Sequence, residues 1–281
     1  MSAKKVGVFA AIFAAALGAG AFFLLHNASR TTVKFTPEPA PASATPSAPA
    51  ATTEPASPAK TSSSPATPPG FLPRAGEVLN FSANVAKVNN VATLQLSVIG
   101  EKELAGHQAW HLQALAHTQN PLRMVFELDD QFDSYSTASD FAGLQYEMRL
   151  SEKGQKVQSV QRLNPAAGGG VHVPPGTRDP LGTMQYLRSL DWSKSPQVST
   201  NVFEGRKVYQ VQARKTGSAE VTVPAGKFST TAVEIKVFDN GTEMNNAHFT
   251  LYLAKDAART PVLLEAVLPF AEARVQLMSR Q

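Results

Sequence analysis

The chain has 281 residues, 43% of them hydrophobic and 17% charged, with 20 prolines and no cysteine. That length holds one or two domains, and the missing cysteine excludes a disulfide scaffold, a thiolate metal site, a cysteine nucleophile and a lipid-modified cysteine anchor. The net charge of +4 comes from the first 75 residues, because residues 76–281 carry 20 basic and 20 acidic side chains, and a neutral body lacks the positive field that nucleic-acid binding needs.

Residues 6–25, VGVFAAIFAAALGAGAFFLL, form an uncharged run behind Lys4 and Lys5. As a helix this run is about 30 Å long, the thickness of a bilayer's hydrocarbon core. Two readings compete for segment 1–30. One is a secretory signal peptide with Ala19-Gly20-Ala21 as its cleavage site; the other is an uncleaved transmembrane anchor, favoured by the apolar Phe22-Phe23-Leu24-Leu25 just past that site. Both export the remainder of the chain. The short leading tail is expected to stay in the cytoplasm, which makes this a single-pass membrane protein with its C-terminal domain outside the cytoplasm. Segment 31–75 holds 11 of the 20 prolines among Ala, Ser and Thr. It has too few large apolar residues to build a core and reads as a disordered linker, which in polyproline form reaches about 140 Å.

Residues 76–281 follow a period of two. Leu94, Leu96 and Val98 alternate with Gln95 and Ser97; Trp110, Leu112, Ala114 and Ala116 alternate with His111, Gln113 and His117. Similar runs sit at 209–213, 233–237, 249–253 and 274–277. One apolar and one wet face per strand predicts a mainly β domain, a curved antiparallel sheet that is barrel-like or a sandwich. Turn signals at Asn89-Asn90, Gly100, Gly154, Gly205, Pro224-Ala225-Gly226 and Asp239-Asn240-Gly241 divide it into ten or eleven strands. One helix is expected, capped by Asp179, with Pro180 in its first turn and Leu181, Met184, Leu187 and Leu190 along one side, plugging or covering the sheet. A second, short helix is expected near 120–128.

These residues resemble the bacterial exported domain-of-unknown-function family 3108 (DUF3108). The resemblance rests on Gly76-Glu77, Asp179-Pro180-Leu181 followed by Tyr186-Leu187-Arg188, Val223-Pro224-Ala225-Gly226-Lys227-Phe228, and Asp256 followed by Arg259-Thr260-Pro261-Val262. Two positions depart from the family pattern, Gly182 where serine is expected and Val223 where threonine is expected. The resemblance implies a β-rich fold and an envelope location, so that the membrane is a bacterial inner membrane and the C-terminal domain lies in the periplasm; it carries no activity. Residue chemistry alone gives the same motifs structural roles: a helix cap for Asp179, a tight turn for Pro-Ala-Gly, and an Asp256–Arg259 pair across a turn.

No catalytic set converges in the sequence. His107, His111 and His117 share one face of a strand but stand about 13 and 20 Å apart, too far to share a metal ion. Glu127, Asp129, Asp130, Asp133 and Asp140 lack the alternation and glycine of a calcium loop and read as solvated loop acids. There is no G-x-S-x-G elbow, and Gly168-Gly169-Gly170 is not a phosphate loop. His172, Arg178 and Asp179 form a loop cluster, and Asn240-Gly241-Thr242 reads as a hairpin turn rather than a glycosylation site. The aromatic side chains Trp110, Phe126, Phe132, Tyr146 and Tyr186 are the candidates for lining a ligand cavity, with an ordinary filled core as the competing assignment. No cofactor, metal or nucleic acid is expected. The leading expectation is a non-enzymatic, membrane-tethered domain that binds an apolar ligand, a lipid or an envelope protein partner. The alternatives are an envelope assembly factor pairing along a sheet edge and an uncharacterised hydrolase built on the acids with His172 or Arg178.

Overall fold

The computed structural model describes residues 71, 73–165, 169–244, 248–268 and 271–281. The expected membrane or signal helix at 6–25 and the linker up to residue 70 lie outside them. Among the described residues no helix is long and apolar enough to cross a membrane.

Alternation of apolar and polar residues produces strands along most of the chain. They are β1 (Val78–Val85), β2 (Val88–Leu104), β3 (His107–Thr118), β4 (Asp129–Thr137), β5 (Gly143–Glu152), β6 (Gln155–Arg162), β7 (Gln197–Phe203), β8 (Val208–Val223), β9 (Gly226–Asp239), β10 (Thr242–Glu243), β11 (His248–Ala254), β12 (Pro261–Leu268) and β13 (Ala271–Arg280). All belong to one sheet in the order β6-β5-β4-β3-β2-β1-β13-β12-β11-β9-β8-β7, with β10 beside β9, so the domain is a single sheet and not a two-sheet sandwich. Ala105-Gly106, Lys153-Gly154 and Asn240-Gly241 all have positive φ and make two-residue turns between paired strands. That is the turn whose twist matches antiparallel strands.

Two expected breaks fall inside a strand. Asn89-Asn90 and Gly100 both lie within β2, whose pairing with β3 slips by one residue between Val98 and Gly100. A bulge absorbs the glycine without ending the strand, and the described residues hold thirteen strands instead of ten or eleven.

A short extended segment links β5, the strand next to one end of the order, to β7 at the other end. The Gly143 amide donates to the Thr177 carbonyl (3.0 Å), the Arg178 amide to the Asn201 carbonyl (2.9 Å), and the Phe203 amide to the Arg178 carbonyl (2.7 Å). Residues 177–178 therefore bridge the start of β5 to β7 and give this end of the sheet a barrel-like closure.

The helix α1 (Pro180–Ser189) starts where expected, with the Asp179 side chain accepting from the Leu181 and Gly182 amides. Its setting differs from a cover. Every residue except Met184 is buried, including Thr183, Gln185, Arg188 and Ser189. A covering helix shows water a polar face, whereas α1 is enclosed by the sheet and fills its interior. The second expected helix is a single 3-10 turn, Leu122–Met124. One large apolar cluster runs from β1 through α1 to β13, and it includes Phe71.

Candidate functional site

Burying a helix on all sides requires a partner for each polar group on it, and the family-like motifs supply several of those partners. At the N-terminus the buried Asp179 carboxylate accepts from the Leu181 and Gly182 amides (both 2.9 Å), from Ser134 Oγ (2.6 Å) and from Ser136 Oγ (3.3 Å). Burial pushes its pKa up against these four donors. Gly182 has a steric reason: a Cβ there would stand 2.7 Å from Ser136 Oγ and 2.8 Å from the Phe141 carbonyl, so the serine expected at this position does not fit. Arg178 is buried flat on the Tyr186 ring at 3.7 Å. It donates through Nε to the Asp140 carbonyl (2.9 Å) and through Nη1 to the Gly176 carbonyl (3.1 Å) and Thr200 Oγ1 (2.8 Å). Burial lowers its pKa.

At the other end of α1, Arg188 makes a two-pronged bond to the Glu77 carboxylate (2.7 Å for each nitrogen) and also reaches Gln185 Oε1 and the Ala258 carbonyl. The Phe71 ring lies 5.5 Å from its guanidinium. Arg259 Nη1 donates to the carbonyls of Arg188 (3.0 Å), Ser189 (2.6 Å) and Leu190 (2.8 Å), which are carbonyls left without helical partners at a C-terminus. The expected Asp256–Arg259 side-chain pair is not formed. Asp256 instead takes Thr260 through its amide and hydroxyl, and Arg280 Nη1. Glu77, Asp179, Arg188 and Arg259 thus act together on one helix, a convergence that sequence order does not reveal.

Trp110, Phe126, Phe132, Tyr146 and Tyr186 all lie in the large buried cluster. None of them borders either of two cavities at the described residues. The first, between α1 and β1–β3, has a volume of about 20 Å³ and is lined by Leu79, Leu96, Val98, Leu112, Leu181 and Met184, with the Glu77–Arg188 pair at its edge. That is room for about one water molecule. The second is an open groove of about 270 Å³ beyond the end of α1, bordered by Trp192, Lys215, Lys255, Asp256 and Arg259.

Glu127 and Asp140 lie outside the strands, in a loop and a turn, but the other three acids do not. Asp129, Asp130 and Asp133 lie on β4, and Asp130 and Asp133 are buried. Asp133 accepts from His111 Nε2 (2.9 Å), Gln113 Nε2 (2.9 Å), Gln131 Nε2 (2.7 Å) and Arg149 Nη1 (2.7 Å). His117 Nδ1 lies 2.8 Å from Asp129 Oδ1, which also takes Arg123 Nη1 at 2.9 Å; the Arg123 bond chiefly pulls the Asp129 pKa down to about 2. Asp130 is pushed up to about 7 by burial, although it accepts from the Ser151 amide. His107, His111 and His117 lie on the continuous β3, and among the described residues no group of three or more His, Asp or Glu could hold a metal. His172 is exposed whereas Arg178 and Asp179 are buried and engaged around α1.

The surface feature that sequence reasoning missed is the edge of the sheet. β6 pairs only with β5. Val157 and Val160 on it are 51% and 47% exposed, and because they are three residues apart they point to opposite faces. The β5–β6 turn is held against the 3-10 turn by the Lys153 amide, which donates to the Glu127 carbonyl (2.9 Å). That neighbouring segment presents Met124 and Val125, 82% and 61% exposed. The signal in the sequence is faint: QKVQSVQR has apolar residues every third position, so neither face of the strand becomes apolar.

A family model described as a protein of unknown function (DUF3108) matches residues 80–278. Curated proteins gave no match. Among solved structures, a β-barrel-like protein of the domain of unknown function DUF1849 from Brucella abortus is similar at TM-score 0.50 and 11% identity, over 74% of this chain and 97% of that one. A candidate lipoprotein from Parabacteroides distasonis aligns at TM-score 0.38 and 12% identity, over 75% and 97%. A candidate exported protein from Bacteroides fragilis aligns at TM-score 0.31 and 10% identity, over 75% and 98%.

Proposed function

The chain belongs to the DUF3108 family, and we propose that it works as a non-enzymatic, membrane-tethered domain of the bacterial envelope that binds another envelope protein. Residues 6–25 supply the tether and the route of export, and residues 31–75 supply a spacer with a reach of about 140 Å. The observation that carries the reading is the filled interior. α1 occupies the space a carrier protein keeps for its cargo, and the cavity beside it at the described residues holds about 20 Å³. The charged groups a hydrolase would draw on, Arg178 and Asp179, are buried and bonded around the start of that helix. A second reading, an apolar-ligand carrier, draws on the cleft between α1 and β1–β3 with its lining of Leu79, Leu96, Val98, Leu112 and Met184, and it requires α1 to move.

Photo-crosslinking in living cells separates the two. The full chain carries a photoreactive residue at Gln158 on the edge, at Met184 in the cleft, or at Lys215 in the groove. A discrete protein adduct, without lipid adducts from Met184 and without lipid retained in native mass spectrometry, is expected. Lipid adducts from Met184 alone would overturn the protein-binding reading in favour of the carrier. A reporter fused after Gln281 is expected to work only outside the cytosol; activity confined to the cytosol would overturn the address.

A further inference from the structure

We propose that the free edge of β6 is the docking surface, and that its occupant is an extended, acidic segment of a partner protein added as a further strand. This rests on the partner-binding reading and gives it a place and a chemistry.

The backbone supplies the first half of the argument. The Leu163 amide donates inward to the Leu144 carbonyl of β5 (2.9 Å), while the Arg162 carbonyl accepts from the Val171 amide on the opposite side (2.8 Å). Groups on successive residues of a strand point to opposite sides. Counting back by two from Arg162, the N–H and C=O groups of Val160, Gln158 and Lys156 point away from β5. Nothing among the described residues pairs with them. At the other end of the strand order Arg178 pairs with the outward groups of Asn201 and Phe203 on β7, as Val171 does with Arg162 on β6, and among the described residues this leaves only Gln197 and Ser199 open there, a shorter run. An unpaired ladder of this kind is a template for strand addition.

Side chains supply the second half. Lys153, Lys156 and Arg162 border the edge, and among the described residues none of them has a carboxylate within ion-pair distance. β6 itself contains no acidic residue. Opposite charges across neighbouring strands stabilise a pair and like charges oppose it. A second copy of this chain would bring three more cations to the same seam, so self-pairing is disfavoured and an acidic strand is favoured. Val157 and Val160 give the added strand an apolar neighbour on either face.

The full-length protein in detergent is titrated with two labelled peptides, one alternating Val with Glu and one alternating Val with Lys, and separately with vesicles of phosphatidylethanolamine and phosphatidylglycerol. The Glu peptide is expected to bind about tenfold more tightly than the Lys peptide, in line with two or three charge pairs, and to weaken as salt rises. Val160→Pro removes an outward N–H while leaving the β5–β6 ladder its inward bonds. It is expected to abolish peptide binding with little change in thermal melting, and a paired variant, Lys156→Glu with Arg162→Glu, is expected to reverse the peptide preference. Equal affinity for the two peptides, binding indifferent to Val160→Pro, or binding to vesicles alone would overturn the proposal. In cells, protein adducts from Lys215 but not Gln158 would overturn the edge while leaving partner binding intact. An absence of protein adducts from every position would overturn both.

Discussion

The helix α1 and the strand β6 meet one requirement in opposite ways. Each places polar groups where they need partners. On α1 every partner is internal and fixed: Asp179 and Ser134 at one end, Glu77, Arg188 and Arg259 at the other. On β6 the outward backbone groups of Lys156, Gln158 and Val160 are without partners among the described residues, and the cations beside them are without a carboxylate there. The contrast teaches that motif density and function need not coincide. Most of the family-like motifs gather at the place that is closed, with Val223–Phe228 at the β8–β9 turn as the exception, and the place left open carries none.

The sharpest way to break the comparison is to remove one partner from the closed region. Glu77→Ala leaves Arg188 buried with a charge that its remaining partners do not neutralise. Losing one member of a buried ion pair costs about 3–5 kcal/mol, so thermal or denaturant unfolding of this variant is expected to show a loss of that size. A change near zero would mean that the pair is not holding α1.

The pH dependence comes next in size. Asp130 has a folded-state pKa of about 7 against an ordinary value of 3.8, so between those values the folded protein holds a proton that the unfolded chain has released. Its contribution therefore favours the folded state below about pH 4 and is lost as pH rises through 7. Across that window the loss is up to about 4 kcal/mol, at about 1.4 kcal/mol per pH unit. Asp130→Asn is expected to flatten that part of the stability profile, and urea melts at several pH values check it. A smaller effect is expected of Gly182→Ser. The added Cβ must displace Ser136 or the Phe141 backbone, a change of the overpacking kind that costs about 1–3 kcal/mol. Differential scanning calorimetry reads it as a lowered Tm. The smallest stability effect belongs to the open region. Val157→Thr and Val160→Thr on the exposed edge are expected to shift stability by less than about 0.5 kcal/mol while weakening crosslinking from Gln158, which a gel of adducts resolves.

The strands were legible in the sequence because burial of one face imposes a period of two, and the alternation of β3, β8 and β11 translates directly into sheet. The start of α1 was legible for a local reason: Asp179-Pro180 meets the capping requirements within its own first turn. What surrounds α1 was not legible. Its partners Glu77 and Arg188 stand 111 residues apart, and no local pattern marks a helix as enclosed rather than covering. The serine expected in place of Gly182 fails for the same reason, since Ser136 and the Phe141 carbonyl reach that position only through folding. The acids of β4 were misread as loop residues because Asp and Asn normally punctuate strands, whereas here Asp130 and Asp133 are held by Ser151, His111 and Arg149. β6 was invisible as an edge because strand order is a property of the whole sheet, and nothing in Gln155–Arg162 states that it will lie outermost.

Residue-resolved amide hydrogen exchange on the intact protein tests the central contrast most directly. The amides of Leu187 and Arg188 in α1 are expected to exchange only with global unfolding, as slowly as those of β3. Along β6 the outward amides of Lys156, Gln158 and Val160 are expected to exchange fast and the inward ones of Val157 and Ser159 slowly, an every-other-residue pattern that disappears when the Glu peptide is added. Fast exchange throughout α1, or uniform protection along β6 in the unbound protein, would contradict the account.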